Sequence, residues 1–201
     1  MQTITSTSEN KENNLPLRLW TVTEYHRMGE LGILLPQESV ELIAGQIIKK
    51  MSPQGTPHAT AIRLLMHLFD RLLGNRVLIQ TQLPITLNNY SEPEPDIALV
   101  IPDILRYLKH HPTPTEIYLI IEIADTTLKT DSELKALEYA KAGIKDYLVL
   151  DLNNRKLRVF RTPTPQGYQE KIILNETDSI SPLEFPDITL LVKEMLPPIL
   201  P

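Results

Sequence analysis

The sequence predicts a mixed α/β (α+β) domain, a β-sheet carrying a helix on each face. Three observations lead there. Ala61, Ile62, Leu65, Leu68, Phe69, Leu72 and Leu73 recur at helical spacing and form one apolar stripe. Two short apolar runs, residues 97–101 and 118–121, are rich in β-branched residues and read as buried strands. Residues 157–161 and 168–174 alternate as a half-solvated antiparallel pair does.

Taken in order, residues 1–16 are polar and aperiodic, so a loose or disordered tail is expected. Thr21 and Glu24 fit the N-cap and N3 positions of a capping box, predicting a helix to about Met28 that Gly29 stops. Residues 38–51 read as a hairpin turning at Ala44-Gly45. A loop over 52–57 leads into the helix at 58–73, which Gly74 closes. Residues 77–80 and 85–87 are candidate strands, followed by the strand that Asp96 begins and a short helical piece near 103–108. After the Glu122 strand, Thr130 is placed to cap a helix running to Ala142, with Glu133 at N3 and Gly143 just past its end. Residues 146–151 form another buried strand, and 187–195 a last helix before Pro197-Pro198. The expected organisation is one domain over 17–196, between the tail at 1–16 and a short C-terminal tail at 197–201.

The chain's 201 residues suffice for one core, and 42% hydrophobic with 22% charged residues mark it as globular. It has no cysteine, which excludes disulfides and thiolate metal sites and leaves carboxylate, histidine or carbonyl ligands. No apolar run reaches membrane-span length and the N-terminus lacks a signal-peptide core, so a cytoplasmic protein without a membrane partner is expected. A net charge of -5 argues against avid, unspecific DNA binding. It is compatible with a nuclease, whose site needs carboxylates and whose basic surface is local.

Chemistry concentrates in Asp96, Glu122 and Lys135. The two apolar runs each carry a carboxylate, which is costly to bury without a partner; a divalent cation shared between neighbouring strands is a natural one. Pro95 lacks an N–H and places Asp96 at an edge or bulge where a strand begins; taken alone, the pair reads as a turn before a core strand. Glu122 sits among isoleucines and reads as a cation ligand facing Asp96, against a simple ion pair with a lysine. Asp131, Lys135 and Tyr139 are spaced by four and share a helical face; taken alone, Lys135 reads as a solvated partner of Asp131. Glu41 alone reads as an exposed strand residue, and His58, at a helix start, equally as a surface residue. His110 and His111 lack the spacing of a zinc site.

The strings Ser91-Glu92-Pro93-Glu94-Pro95-Asp96-Ile97-Ala98 and Ile121-Glu122-Ile123-Ala124-Asp125-Thr126-Thr127-Leu128 resemble those of the Uma-two family of predicted endonucleases. So do Asp131, Lys135, Tyr139-Ala140-Lys141-Ala142-Gly143-Ile144 and Asp151, with Val40-Glu41-Leu42-Ile43 and Met51-Ser52-Pro53 upstream. The resemblance spans about Leu19 to Leu191 and implies a restriction-endonuclease-like PD-(D/E)XK core. It implies Asp96 and Glu122 as divalent-metal ligands, with Glu41 approaching the same metal, and a homodimer or higher homo-oligomer. The superfamily's lysine two residues after the glutamate is absent, because Ala124 stands there; the family pattern puts it on the next helix, where Lys135 matches. Gln46 and Leu148 stand where glutamate and tryptophan are expected.

The implied activity is Mg²⁺- or Mn²⁺-dependent hydrolysis of DNA phosphodiesters. Lys135 would orient the attacking water or stabilise phosphate charge, His58 would contact substrate, and Asp131 and Tyr139 would support the lysine. Two alternatives stand beside it. One is a nucleic-acid-binding protein that keeps the fold without turnover. The other is an interaction module whose carboxylates merely pair with Lys135.

Overall fold

In the computed structural model, which describes residues 16–35, 37–50 and 55–199, the first helix is α1 (Val22–Glu30). Thr21 and Glu24 form the expected capping box at its start. Gly29 does not end it. Gly32 does, at φ +69°, the left-handed conformation that closes a helix at least cost in glycine, with Ile33 N–H bonded to Met28 O at 2.9 Å.

The hairpin follows as β1 (Val40–Ile43) and β2 (Gln46–Lys49), turning at Ala44-Gly45. A Cβ on Gly45 would lie 2.6 Å from Leu19 Cβ, and the residue holds φ +74°, so both space and backbone require glycine. The long helix α2 (Thr56–Leu73) begins two residues before the expected start at His58, with Thr56 and Pro57 in its first turn. Residues 52–54 of the expected loop at 52–57 lie outside the described residues, and Thr56 and Pro57 are helical; the expected N-terminal tail apart from Pro16 also lies outside them.

Six strands make the main sheet: β3 (Leu78–Gln80), β4 (Ile97–Val100), β5 (Ile117–Ala124), β6 (Asp146–Asp151), β7 (Lys156–Thr164) and β8 (Gly167–Leu174). They lie in that order across the sheet. Only β5 and β6 run parallel, because a helix joins them: a π-helical stretch at Thr130–Lys135 continued by α3 (Ala136–Lys141). The chain closes with a two-stranded pair, β9 (Ser179–Ile180) and β10 (Leu190–Leu191), and the single turn α4 (Val192–Met195).

Period-two alternation divides the central strands between two cores. Ile97, Leu99, Leu119, Ile121 and Ile123 face α2, where Ala61, Leu65, Leu68 and Phe69 bury the predicted stripe. Ala98, Val100, Ile120, Ala124, Tyr147 and Val149 face α3 through Ala136, Tyr139 and Ala140. Burying a Leu- or Phe-sized side chain contributes about 1.5–3 kcal/mol, so both faces are well supplied. Glu122 falls in the second series, between Ile120 and Ala124, and its side chain is thereby turned toward α3.

Four expectations change. Residues 85–87 form no strand, although Ile85 and Leu87 are buried. Pro84, Pro93 and Pro95 have no N–H to give a ladder, and the stretch is held instead by single bonds such as Ile85 N–H to Pro93 O at 3.0 Å. The last helix shrinks to four residues because Leu190 and Leu191 pair with β9 and Leu190 enters the core. Thr130 is not a cap: helical backbone starts at Leu128, and Asp131 N–H bonds to Thr127 O at 3.0 Å. Finally, β4 is not an edge strand, since β3 and β5 flank it, and its irregularity lies at Leu99/Val100, away from Asp96.

Candidate active site

The hairpin, the first turn of α2, the start of β4, the end of β5 and the π-helical stretch surround one cavity of about 290 Å³. Glu41, His58, Asp96, Glu122, Asp131 and Lys135 all line it. The antiparallel ladder of β4 and β5 makes its last pair at Ile97 and Ile121. One residue beyond, the Asp96 side chain takes over: its Oδ2 accepts Ile123 N–H at 2.8 Å. The same oxygen lies 3.1 Å from His58 Nε2, and Oδ1 accepts the Gln82 side-chain amide at 3.2 Å.

Glu122 is 3% exposed. Its Oε1 accepts Lys135 Nζ at 3.0 Å and Tyr139 O–H at 2.9 Å, while Oε2 faces Asp96 N–H at 3.4 Å. The spacing of four does bring Lys135 and Tyr139 to one carboxylate. Lys135 ends the wide π stretch, in which Ala136 N–H reaches Asp131 O, and Tyr139 follows on α3. Lys135 is 6% exposed and also lies 3.1 Å from Glu41 Oε1. It is therefore no solvated partner of Asp131, whose Oδ2 instead accepts Thr127 O–H at 2.5 Å. Glu41 and His58, which alone read as surface residues, are both buried. Glu41 Oε2 accepts Glu94 N–H at 3.1 Å. His58 Nδ1 is buried with no hydrogen-bond partner among the described residues.

These groups perturb one another. Burial pushes Glu122 up, to about 8, with Asp131, Asp96 and Glu41 adding to the rise against the opposing pull of Lys135. Burial likewise lifts Asp131 to about 6. Lys135 is held above the usual lysine range: burial opposes its charge, but Glu122, Glu41 and Asp131 outweigh burial. Burial would also raise Asp96, yet the bond to and charge of His58, with Ile123 N–H and Gln82, keep it below the ordinary carboxylate value. His58 moves up correspondingly, burial being overcome by Asp96, Asp125 and Asp131.

The donor chemistry suits a hard divalent cation. Glu41, Asp96, Glu122 and Asp131 are buried beside a single buried ammonium, an excess of carboxylate oxygens that a dication would neutralise. Among the described residues, no three carboxylate or imidazole groups converge closely enough to enclose an ion as they stand.

The family described as Uma2, "putative restriction endonuclease", matches residues 22–193, a span that contains every cavity residue named above. The chain belongs to the Uma2 family. Its fold is similar to that of the crystal structure of a "putative nuclease belonging to DUF820" from Anabaena variabilis, with a TM-score of 0.66 and 20% identity over 87% of this chain and 96% of that one. No curated protein matches it. Among the described residues, no helix is long and apolar enough to cross a membrane.

In this Uma2 chain the structure gathers Glu41, His58, Asp96, Glu122, Asp131, Lys135 and Tyr139 as one cluster, and leaves His110 outside it, paired with Glu116. Sequence reasoning overlooked Asp125, Gln82, Lys49 and Lys50. Asp125 had a signal, since it ends the Glu122 strand one residue past Ala124. A Cβ at Gly55 would lie 3.6 Å from its Oδ2, which puts it beside the start of α2. Gln82 had none: it reaches Asp96 from a turn at φ +50° that only the folded chain defines. Lys49 at the end of β2 and Lys50 just past it line the cavity, and Lys50 pairs with Glu94 at 2.8 Å.

Proposed function

We propose that this chain is a divalent-metal-dependent endonuclease acting on DNA phosphodiester bonds, with Mg²⁺ or Mn²⁺ as its cofactor. The observation that carries this reading is the lysine held 3.0 Å from Glu122 in a cavity that Asp96 enters from the adjacent strand. Asp96 and Glu122 would hold the cation. When bound, it supplies charge neutralisation at the phosphate and a water of lowered pKa. Lys135 offers a fixed positive charge to the phosphate oxygens as negative charge builds on them. Tyr139 and Asp131 keep that helical face turned inward, and His58 holds the Asp96 carboxylate in orientation. Family membership and a nuclease-like fold support this reading; the fold alone would not. As the resemblance implies, we further propose that the protein acts as a homodimer or higher homo-oligomer.

The test is supercoiled plasmid DNA incubated with wild type, Asp96→Asn and Lys135→Met in Mn²⁺ and in EDTA. Wild type nicks or linearises the plasmid in Mn²⁺ only, Asp96→Asn does not, and Lys135→Met is slower by about a hundredfold. A second reading, nucleic-acid binding without turnover, draws on the lack of a preformed ion cage among the described residues. Salt-dependent DNA binding with no cleavage in any metal would favour it.

A further inference from the structure

We propose that Glu41 is a positioning residue for Lys135 and not a metal ligand: the β1–β2 hairpin reaches across the cavity to clamp the lysine ammonium between two carboxylates. What the clamped lysine then does rests on the nuclease reading; the clamp itself does not.

The clamp has two jaws from different strands, Glu122 on β5 and Glu41 on β1. Glu122 Oε1 lies 3.0 Å from Lys135 Nζ and Glu41 Oε1 3.1 Å from the same nitrogen. Glu122 alone would fix the ammonium poorly, because its Oε1 is shared with the Tyr139 hydroxyl. Lysine has a four-carbon stem and three donors, so a single shared acceptor leaves its head free to move. A second carboxylate from another element restricts it to one place. Removing that carboxylate would leave a buried ammonium short of acceptors, the costly situation for a buried ion pair.

Glu41 is itself held for this task. Its other oxygen accepts Glu94 N–H at 3.1 Å. β1 and the hairpin turn are tied to the same segment by Glu92 N–H to Leu42 O at 2.8 Å, Gly45 N–H to Tyr90 O at 2.7 Å, and Ala44 N–H to Ser91 Oγ at 2.9 Å. That segment runs directly into Asp96, so the second jaw is anchored to the backbone that leads into Asp96. Were Glu41 to turn toward a cation, both Lys135 and Glu94 N–H would lose a buried acceptor at once.

The experiment uses the full chain as wild type, Asp96→Asn, Glu41→Gln, Lys135→Met and the Glu41→Gln/Lys135→Met pair. Mn²⁺ affinity is measured by calorimetry, and unfolding midpoints in denaturant are read for all five. We expect Asp96→Asn to lose Mn²⁺ binding and Glu41→Gln to stay within about tenfold of wild type, as for a residue outside the ligand set. The midpoint loss of the double variant should fall well short of the sum of the two single losses, because both remove one contact. In cleavage, Glu41→Gln lowers kcat with KM unchanged, an effect absent in the Lys135→Met background; a purely structural role would not move that split. Mn²⁺ binding lost in Glu41→Gln as fully as in Asp96→Asn overturns the clamp, and so do additive midpoint losses. If wild type neither binds Mn²⁺ nor cleaves DNA, the nuclease reading fails while the midpoint coupling alone decides the clamp.

Discussion

At the scale of single residues, the site is a set of charges that burial makes interdependent. Burial pushes Glu122 to about 8 and Asp131 to about 6, both above the ordinary carboxylate values they would have unfolded. Between those ordinary values and the raised ones, the folded chain binds more protons than the unfolded chain. Stability therefore falls as pH rises through this window. His58 acts in the same direction, because its raised value stabilises the fold at low pH and that contribution is lost as pH rises through it. The expected result is a melting temperature that falls from about pH 5.5 to 8 in EDTA, and a Mn²⁺-induced rise that is larger at pH 8 than at pH 5.5. A flat EDTA profile would show that the carboxylates are not coupled as described. The Glu122 position was legible in the sequence, since a glutamate among isoleucines needs a partner. The identity of the partner was not. Lys135, spaced by four from Asp131, pairs instead with residues remote in sequence, and no local pattern carries that information.

Elements fix these residues through faces and ends. The α2 stripe was readable because its periodicity is local, and every member either enters the core or packs against it. Leu65, fully buried on that stripe, is expected to cost about 2–5 kcal/mol as Leu65→Ala, measured by denaturant unfolding. A loss under about 0.5 kcal/mol, the range of surface substitutions, would mean that α2 does not pack as described. The hairpin was also readable, but the need for glycine at its turn was not, because Leu19 approaches Gly45 only after folding. Gly45→Ala meets both that contact and a positive φ and should destabilise by more than about 1 kcal/mol. Its effect on activity would pass through Glu41 and Lys135. The π-helical stretch escaped prediction for a related reason. Residues 130–135 carry no local signal for a wide turn, and the stretch ends on Lys135, whose partners Glu122 and Glu41 come from other elements.

For the whole molecule, the sheet order brings the start of β4 and the end of β5 side by side, and the hairpin and two helices close over them. The mixed sheet with a helix on each face was expected from the alternation of periods along the chain. The strand at 85–87 and the long final helix were not realised, in the first case because prolines interrupt the ladder and in the second because residues 190–191 found a strand partner. The proposed self-assembly is checked by light scattering at micromolar concentration: a mass of at least twice the 22.9 kDa of one chain is expected, and a mass near 22.9 kDa contradicts it. The central claim is that this fold makes Asp96 and Glu122 share one divalent cation. It is tested most directly by an anomalous difference map from crystals soaked in Mn²⁺. The predicted result is a single strong peak within about 2.0–2.4 Å of oxygens from both carboxylates, a range that spans hard-cation ligation, with Lys135 still against Glu41. A map with no peak between Asp96 and Glu122, or with its peak on residues elsewhere, would contradict it.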